Sequence, residues 1–501
     1  MLVPLDPETY AARAERFVTD LDREYYLHFA GHKERFEIEE IYERNANLFE
    51  REIVDRLKEA LDGARSDDDR RRLRFLLQLA VEGLIGQATK AETAALAERE
   101  GSLEIEVDGS SEPYRQAAIT QANEPDSERR ALIETARMSA LDAELNPLYV
   151  AVTERAHALA VELGWGSYRA MYEELKAIDL DALEQQTVAF IETTGAFYRD
   201  QVAPEIERQT GIAFDHLRRS DLPYFFRART YDGLFPEERL MEAFEHTLAG
   251  LGIDLRAQPN VSLDLEQRPR KSPRAFCAPV RVPEEVYLVI PRRGGHDDYA
   301  ALFHEGGHTE HYANVDPALP FEFRHLGDNS VTEGFAFLLE HVTEDPAWLR
   351  AVLGADDAGE YLAYTRASKL IFLRRYAAKL SYELELHAGR RPLAEMPGLY
   401  TSRLSDAVGV EWPGVSYLAD VDEGYYAANY LRAWAFEAQL RRALRQRYGE
   451  EWFSHAEAGE LLRSLWREGQ RRGPEELLGE VAGEELDFAV MVEEVKIPDF
   501  P

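Results

Sequence analysis

Residues 301–315 read ALFHEGGHTEHYANV, and they constrain the fold more than any other stretch. His304, His308 and His311 share one stripe of a helix, because each residue advances about 100°. Gly306 and Gly307 interrupt the same helix, and a glycine costs about 1 kcal/mol against alanine in a helix interior. Neither glycine points the way the histidines do. Gly306 faces the rear, about 160° round from His308, and Gly307 a flank, about 100° round. The segment therefore predicts a helix sunk in the core, with other elements so close that side chains are excluded. The expected neighbours are the helix carrying Glu333 and the strand VYLVI at 286–290.

The remaining chain reads as mainly α. Long amphipathic stretches at 35–64, 70–100 and 180–211 place apolar residues every three or four positions. Strand signals are few. SLEIEVDG alternates and ends in Asp-Gly, which predicts a hairpin within 102–119. Short β-branched or aromatic runs at 261–291 predict one small sheet: VSLDLEQ, PRAFCAPV and EEVYLVIP. A helix should start after RRGGHDD, with Asp297 or Asp298 capping it.

His304, Glu305 and His308 form H-E-x-x-H. On a helix the two imidazoles sit one turn apart on one face and can reach one zinc ion, with Glu305 beside it to handle protons. A catalytic zinc needs a third protein ligand. His311 lies about 10 Å along the axis from His304, too far for all three histidines to share an ion; it is expected behind the ligands. The metzincin position, 314, holds Asn314. That leaves a carboxylate on a second helix. DNSVTEGFAFLLEHV, 328–342, offers Glu333 as the ligand, and Glu340, two turns on, as the group that receives the ring N–H of a ligand histidine.

With these residues in view, HEGGHTEH resembles the H-E-F-G-H-x-x-H motif of the thimet oligopeptidase and oligoendopeptidase F family of zinc metallopeptidases. In that family a glutamate about 25 residues after the second histidine is the third ligand, and 308 to 333 is 25. TEGFAFLLE is similar to the family's second-helix segment. RKSPRAFCAPV followed by EEVYLVIP is similar to its upstream strands, and DEGYYAANYLRAWAF to its tyrosine-rich segment. The likeness covers about 265–436. Two departures stand out: 410–424 contains no histidine, and the tyrosine spacing differs. Gly424-Tyr425-Tyr426 also resembles a segment of the related Taq-type carboxypeptidases, whose HQF-type motif is absent here.

The resemblance implies a two-lobed helical zinc-metallopeptidase fold, with the small sheet beside the H-E-x-x-H helix and a deep substrate cleft. The lobes are expected at 1–255 and 256–501. One Zn2+ would sit on His304, His308 and Glu333. Glu305 would be the general base, and one of Tyr425, Tyr426 and Tyr430 would donate to the oxyanion. The expected activity is cleavage of short, unstructured oligopeptides. A zinc carboxypeptidase on the same scaffold is the alternative, and a non-catalytic helical peptide-binding protein the alternative of another class. PRAFCAPV could take an extended substrate as an added strand, or be an internal strand with no free edge. Cys277 reads as a small buried hydrophobe. Arg432 reads as a surface salt bridge or a binder of a substrate carboxylate.

Charge and cysteine usage narrow the partners. Net charge is −35 over 501 residues, which argues against nucleic acid and anionic lipid. No apolar run is long enough to span a bilayer, and residues 1–20 show no secretory leader pattern. A single cysteine allows no internal disulfide, so a cytoplasmic location is the expectation.

Overall fold

In the computed structural model, residues 6–291 and 294–496 are described. Residues 1–5 of the stretch read for a leader, and the first two residues of RRGGHDD, lie outside them. In chain order, the elements that matter here are α1 (Pro7–Phe29), the strands β1 (Glu104–Val107) and β2 (Ser110–Pro113), α2 (Tyr168–Lys176), α3 (Leu240–Gly250), β3 (Val261–Asp264), β4 (Phe276–Arg281), β5 (Glu285–Val289), α4 (His296–Ala313), α5 (Asn329–Glu340), α6 (Gly359–His387) and α7 (Tyr426–Tyr448). The chain is mainly helical, with little strand.

The chain forms two compact units, but not the contiguous halves 1–255 and 256–501. One unit comprises 1–84, 231–362 and 432–490, and the other 85–230, 363–431 and 491–501. Two of the boundaries fall inside α6 and α7. A helix that continues from one unit into the next leaves no linker composition to read, which is why the sequence suggested a single break instead.

Local signals explain most of the elements. Asp6 caps α1 by accepting from the Thr9 N–H, Pro7 opens it, and Tyr10, Ala14, Phe17 and Val18 are buried along one face. The hairpin is shorter than its expected span. Its strands pair antiparallel from Glu104↔Pro113 to Val107↔Ser110, and its turn uses Asp108 and Gly109, both at positive φ. The amphipathic stretches are helical, each interrupted by a short break, as at 45–50, 89 and 196–197.

In the first unit the three-stranded sheet has the order β3-β5-β4, with β3 parallel and β4 antiparallel to β5. Tyr26 of α1 and Ala30, its C-cap, pack with Ala278 and Val280 of β4 and Val289 of β5. α4 follows directly and packs against β4, β5 and α5. Its N-cap is Gly295, with no side-chain capping bond; Asp297 and Asp298 sit in the first turn and do not cap it.

Both glycines of α4 are at close approaches. A Cβ on Gly307 would lie 2.5 Å from the Ala336 Cα and from the Phe335 carbonyl oxygen, so α5 is its neighbour. A Cβ on Gly306 would lie 2.3 Å from the Phe244 ring of α3, so an aromatic side chain, not the VYLVI strand, fills the space behind it. The two sites should respond differently to alanine. Gly306→Ala is expected to destabilise by about 1–3 kcal/mol, with much of the loss recovered by Phe244→Leu. Gly307→Ala meets backbone and should show no such rescue. Urea unfolding of the three variants checks this; a Phe244→Leu background that fails to relieve Gly306→Ala would contradict the packing.

Candidate metal centre

The centre is built by α4 and α5. His304 and His308 lie one turn apart on α4, and Glu333 faces them from α5. Glu333 Oε2 is 3.4 Å from His304 Nε2 and 3.8 Å from His308 Nε2. The three donor atoms lie within 4.8 Å of one another. Ligand atoms about 2.0–2.1 Å from a tetrahedral zinc are roughly 3.4 Å apart, so the two Glu333 contacts already stand close to that spacing.

The outer nitrogens are fixed as well. His304 Nδ1 lies 2.8 Å from Glu340 Oε2, and His308 Nδ1 lies 2.8 Å from Thr332 Oγ1. A carboxylate can only accept, so His304 carries a proton on Nδ1 towards Glu340, which leaves Nε2, on the Glu333 side, as the nitrogen that would exchange its proton for a metal. The threonine hydroxyl can hold His308 in the same tautomer. Rings pack around the ligands: Phe337 against His304 at 5.1 Å, and Tyr312 stacked beside His308 at 6.4 Å. Two nitrogens and one carboxylate oxygen, each ring held from behind, suit zinc.

Glu305 sits between the ligands in sequence and is tied to the sheet. Its Oε2 accepts the backbone N–H of Cys277 on β4 at 2.8 Å. Burial pushes its carboxyl up to about 7, outweighing the opposing pull of His304 and the Cys277 N–H. Burial likewise pushes His308 down to about 4. At His304 burial acts in the same direction, but hydrogen bonds and charge from Glu333 and Glu340 overcome it and hold the imidazole well above its ordinary value. Cys277 is only partly buried, not the enclosed hydrophobe expected, and desolvation raises its thiol.

The other expected residues stand as follows. His311 takes no part in holding the ligands. It is fully buried, its Nε2 is 3.2 Å from the Gly469 carbonyl, and its ring packs on Phe335. It stays on the histidine stripe, but about 10 Å along the axis from His304, where Phe335 and the Gly469 carbonyl enclose it. Thr332 stands behind His308, and no pattern in the sequence singles it out. Arg432 is neither a surface bridge nor a solvent-facing anion binder. It is 6% exposed and pairs with Asp328, Ser330 and Glu475.

Tyr425, Tyr426 and Tyr430 belong to the second unit. Tyr425 has φ 58° and no exposed surface, and its ring packs against His387, Tyr168 and Tyr172. A phenol so enclosed does not reach a substrate. Tyr426 and Tyr430 keep partly exposed side chains and pack edge to face at 4.9 Å.

In comparisons with known proteins, the chain matches no family model and no curated protein sequence. Among the described residues no helix is long and apolar enough to cross a membrane.

If Thr332 and Glu340 orient the ligand rings, Thr332→Val and Glu340→Gln should each weaken zinc binding about 10–100-fold without loss of fold. Competition against a chromogenic chelator measures this. Unaltered affinity in both variants would remove the orienting role.

Proposed function

We propose that the protein is a zinc-dependent peptidase that hydrolyses peptide bonds in short, unstructured oligopeptides. The reading is carried by the convergence of His304, His308 and Glu333 with Glu305 held beside them. His304, His308 and Glu333 would hold the zinc. When bound there, zinc supplies a Lewis acid that acidifies water and polarises a carbonyl.

The chain's own groups supply the proton transfers. Glu305, anchored through Oε2 by the Cys277 N–H, keeps a carboxylate at a fixed place in the site. It takes a proton from the attacking water and returns it to the leaving amine. Its raised pKa reflects a poorly solvated site, which favours a base that can also act as an acid. β4 is an edge strand of its sheet, and its Cys277 N–H points away from β5 to Glu305. A peptide laid along that edge would run its backbone past the base. Pro279 on the same edge offers no N–H and the Cys277 N–H is taken by Glu305, so such pairing would rest on the carbonyls of that edge.

The resemblance to the thimet and oligoendopeptidase F family supports the oligopeptide substrate class and points to tyrosines as oxyanion donors; Tyr426 and Tyr430 are the accessible ones. The likeness at Gly424-Tyr425-Tyr426 keeps a carboxypeptidase as the second reading. A cytoplasmic location belongs to the same proposal.

Glu305→Gln should retain zinc and lose at least about 100-fold in kcat, read by cleavage of a quenched-fluorescent peptide with metal content measured in parallel. Full activity in that variant, or no zinc in the wild type, would overturn the reading. A peptide with a C-terminal amide should still be cut by an endopeptidase and spared by a carboxypeptidase. Tyr426→Phe and Tyr430→Phe separate the donors: the one that matters lowers kcat and leaves KM nearly unchanged.

A further inference from the structure

α1 lies on the sheet with a marked asymmetry. Tyr26 stacks on Tyr287 of β5 at 3.8 Å, and Arg23 pairs with Glu285 at the start of β5. On the helical wheel Asp22, Phe29 and Tyr25 fall on the other side of Tyr26, by about 40°, 60° and 100°. That flank therefore overhangs β4, the edge strand. The helix runs antiparallel to β4. The Phe29 carbonyl accepts the Ser272 N–H at 2.7 Å, just before β4 begins. Two to three turns into α1, Glu15 pairs with Arg324, whose guanidinium also donates to the Val282 carbonyl just after β4.

The overhanging flank is aromatic and open. Tyr25 is 40% exposed and Phe29 41%. With His28 and Phe36 they form a ring cluster: Tyr25 to Phe36 at 5.1 Å, His28 to Phe36 at 4.6 Å and Phe29 to Phe36 at 5.5 Å. Among the described residues, the other exposed large apolar side chains are aliphatic: Ile119, Leu132, Val161 and Val188. A contiguous apolar patch left in water marks a contact surface. Its position names the occupant, because Phe29 stands beside Ser272, where the outer edge of β4 leads away from Cys277 and Glu305.

We propose that Tyr25, Phe29 and Phe36 form a subsite for a bulky apolar or aromatic side chain of a peptide running along β4. The proposal rests on the peptidase reading above and adds a substrate preference to it. From the level of Cys277 to the chain beside Phe29 is about three to five residues of extended peptide, at ~3.3 Å each. The preferred side chain therefore lies about that far from the bond that is cut.

Two peptide series test this, identical except for phenylalanine or glycine at each position three to five residues from the cleavage site. The wild type should favour phenylalanine at one of these positions by about tenfold in kcat/KM, mainly through KM. Tyr25→Gln and Phe29→Gln should each move that ratio towards one, with zinc content and melting temperature held as controls. Leu132→Gln, a comparably exposed residue of the second unit, should keep the wild-type ratio. A wild type that cuts both series equally, or Tyr25 and Phe29 variants that keep the preference, would overturn the subsite and leave the peptidase reading intact. A zinc-loaded wild type that cuts no peptide would overturn both.

Discussion

The candidate metal centre depends on two helices meeting backbone to backbone. Ordinary helix pairs stand 8–10 Å apart, spaced by their side chains. At Gly307 the α4 backbone comes so near Phe335 and Ala336 of α5 that one methyl group would overlap it. This contact lies one residue from His308 and two from Glu333. Wider spacing would lift the Glu333 carboxylate away from both imidazoles. The helix cost of the glycine is the cost of bringing the donors within reach of one ion.

Proximity alone would leave α5 free to rotate or slide, and buried charges at its two ends prevent this. At the start, Asp328 caps the helix and Arg432 binds Asp328, Ser330 and Glu475 together. Burial pushes the Asp328 carboxyl upward, but Arg432 and the Ser330 bonds hold it below its ordinary value. Just past the other end, His341 Nδ1 lies 2.8 Å from Glu437, which Arg441 also binds. The His341, Glu437 and Arg441 set is buried throughout, and removing one member of such a set is strongly destabilising because a charge is left without a partner. Between these anchors Glu333 and Glu340 are held two turns apart on the side facing α4, one carboxylate at the Nε2 atoms and the other behind His304.

How much of this was legible depended on how local each signal was. The helical stripe of His304 and His308, the alternation of 103–107 and the Asp108-Gly109 turn are short-range patterns, and the elements follow them. Glu333 could be found because an H-E-x-x-H needs a third ligand and the carboxylate stands in an apolar helix. Thr332 could not, since a threonine next to a glutamate has no periodic or compositional mark. Tyr425 looked equivalent to Tyr426 and Tyr430 in sequence, yet its left-handed backbone turns its ring into a buried aromatic set. Gly306 announced a close neighbour but not its identity, which proved to be Phe244.

The sequence by itself determined that the chain is mainly helical, that His304, Glu305 and His308 stand on one helix, and that the helix must be buried at its glycines. These follow from spacing along a backbone of fixed pitch. Tertiary structure alone decided that α5 meets Gly307, that Thr332 and not His311 supports the ligands, and that the units divide within continuous helices. Each of these is a contact between residues distant in the chain, or a choice of which face is buried, and no local pattern encodes it.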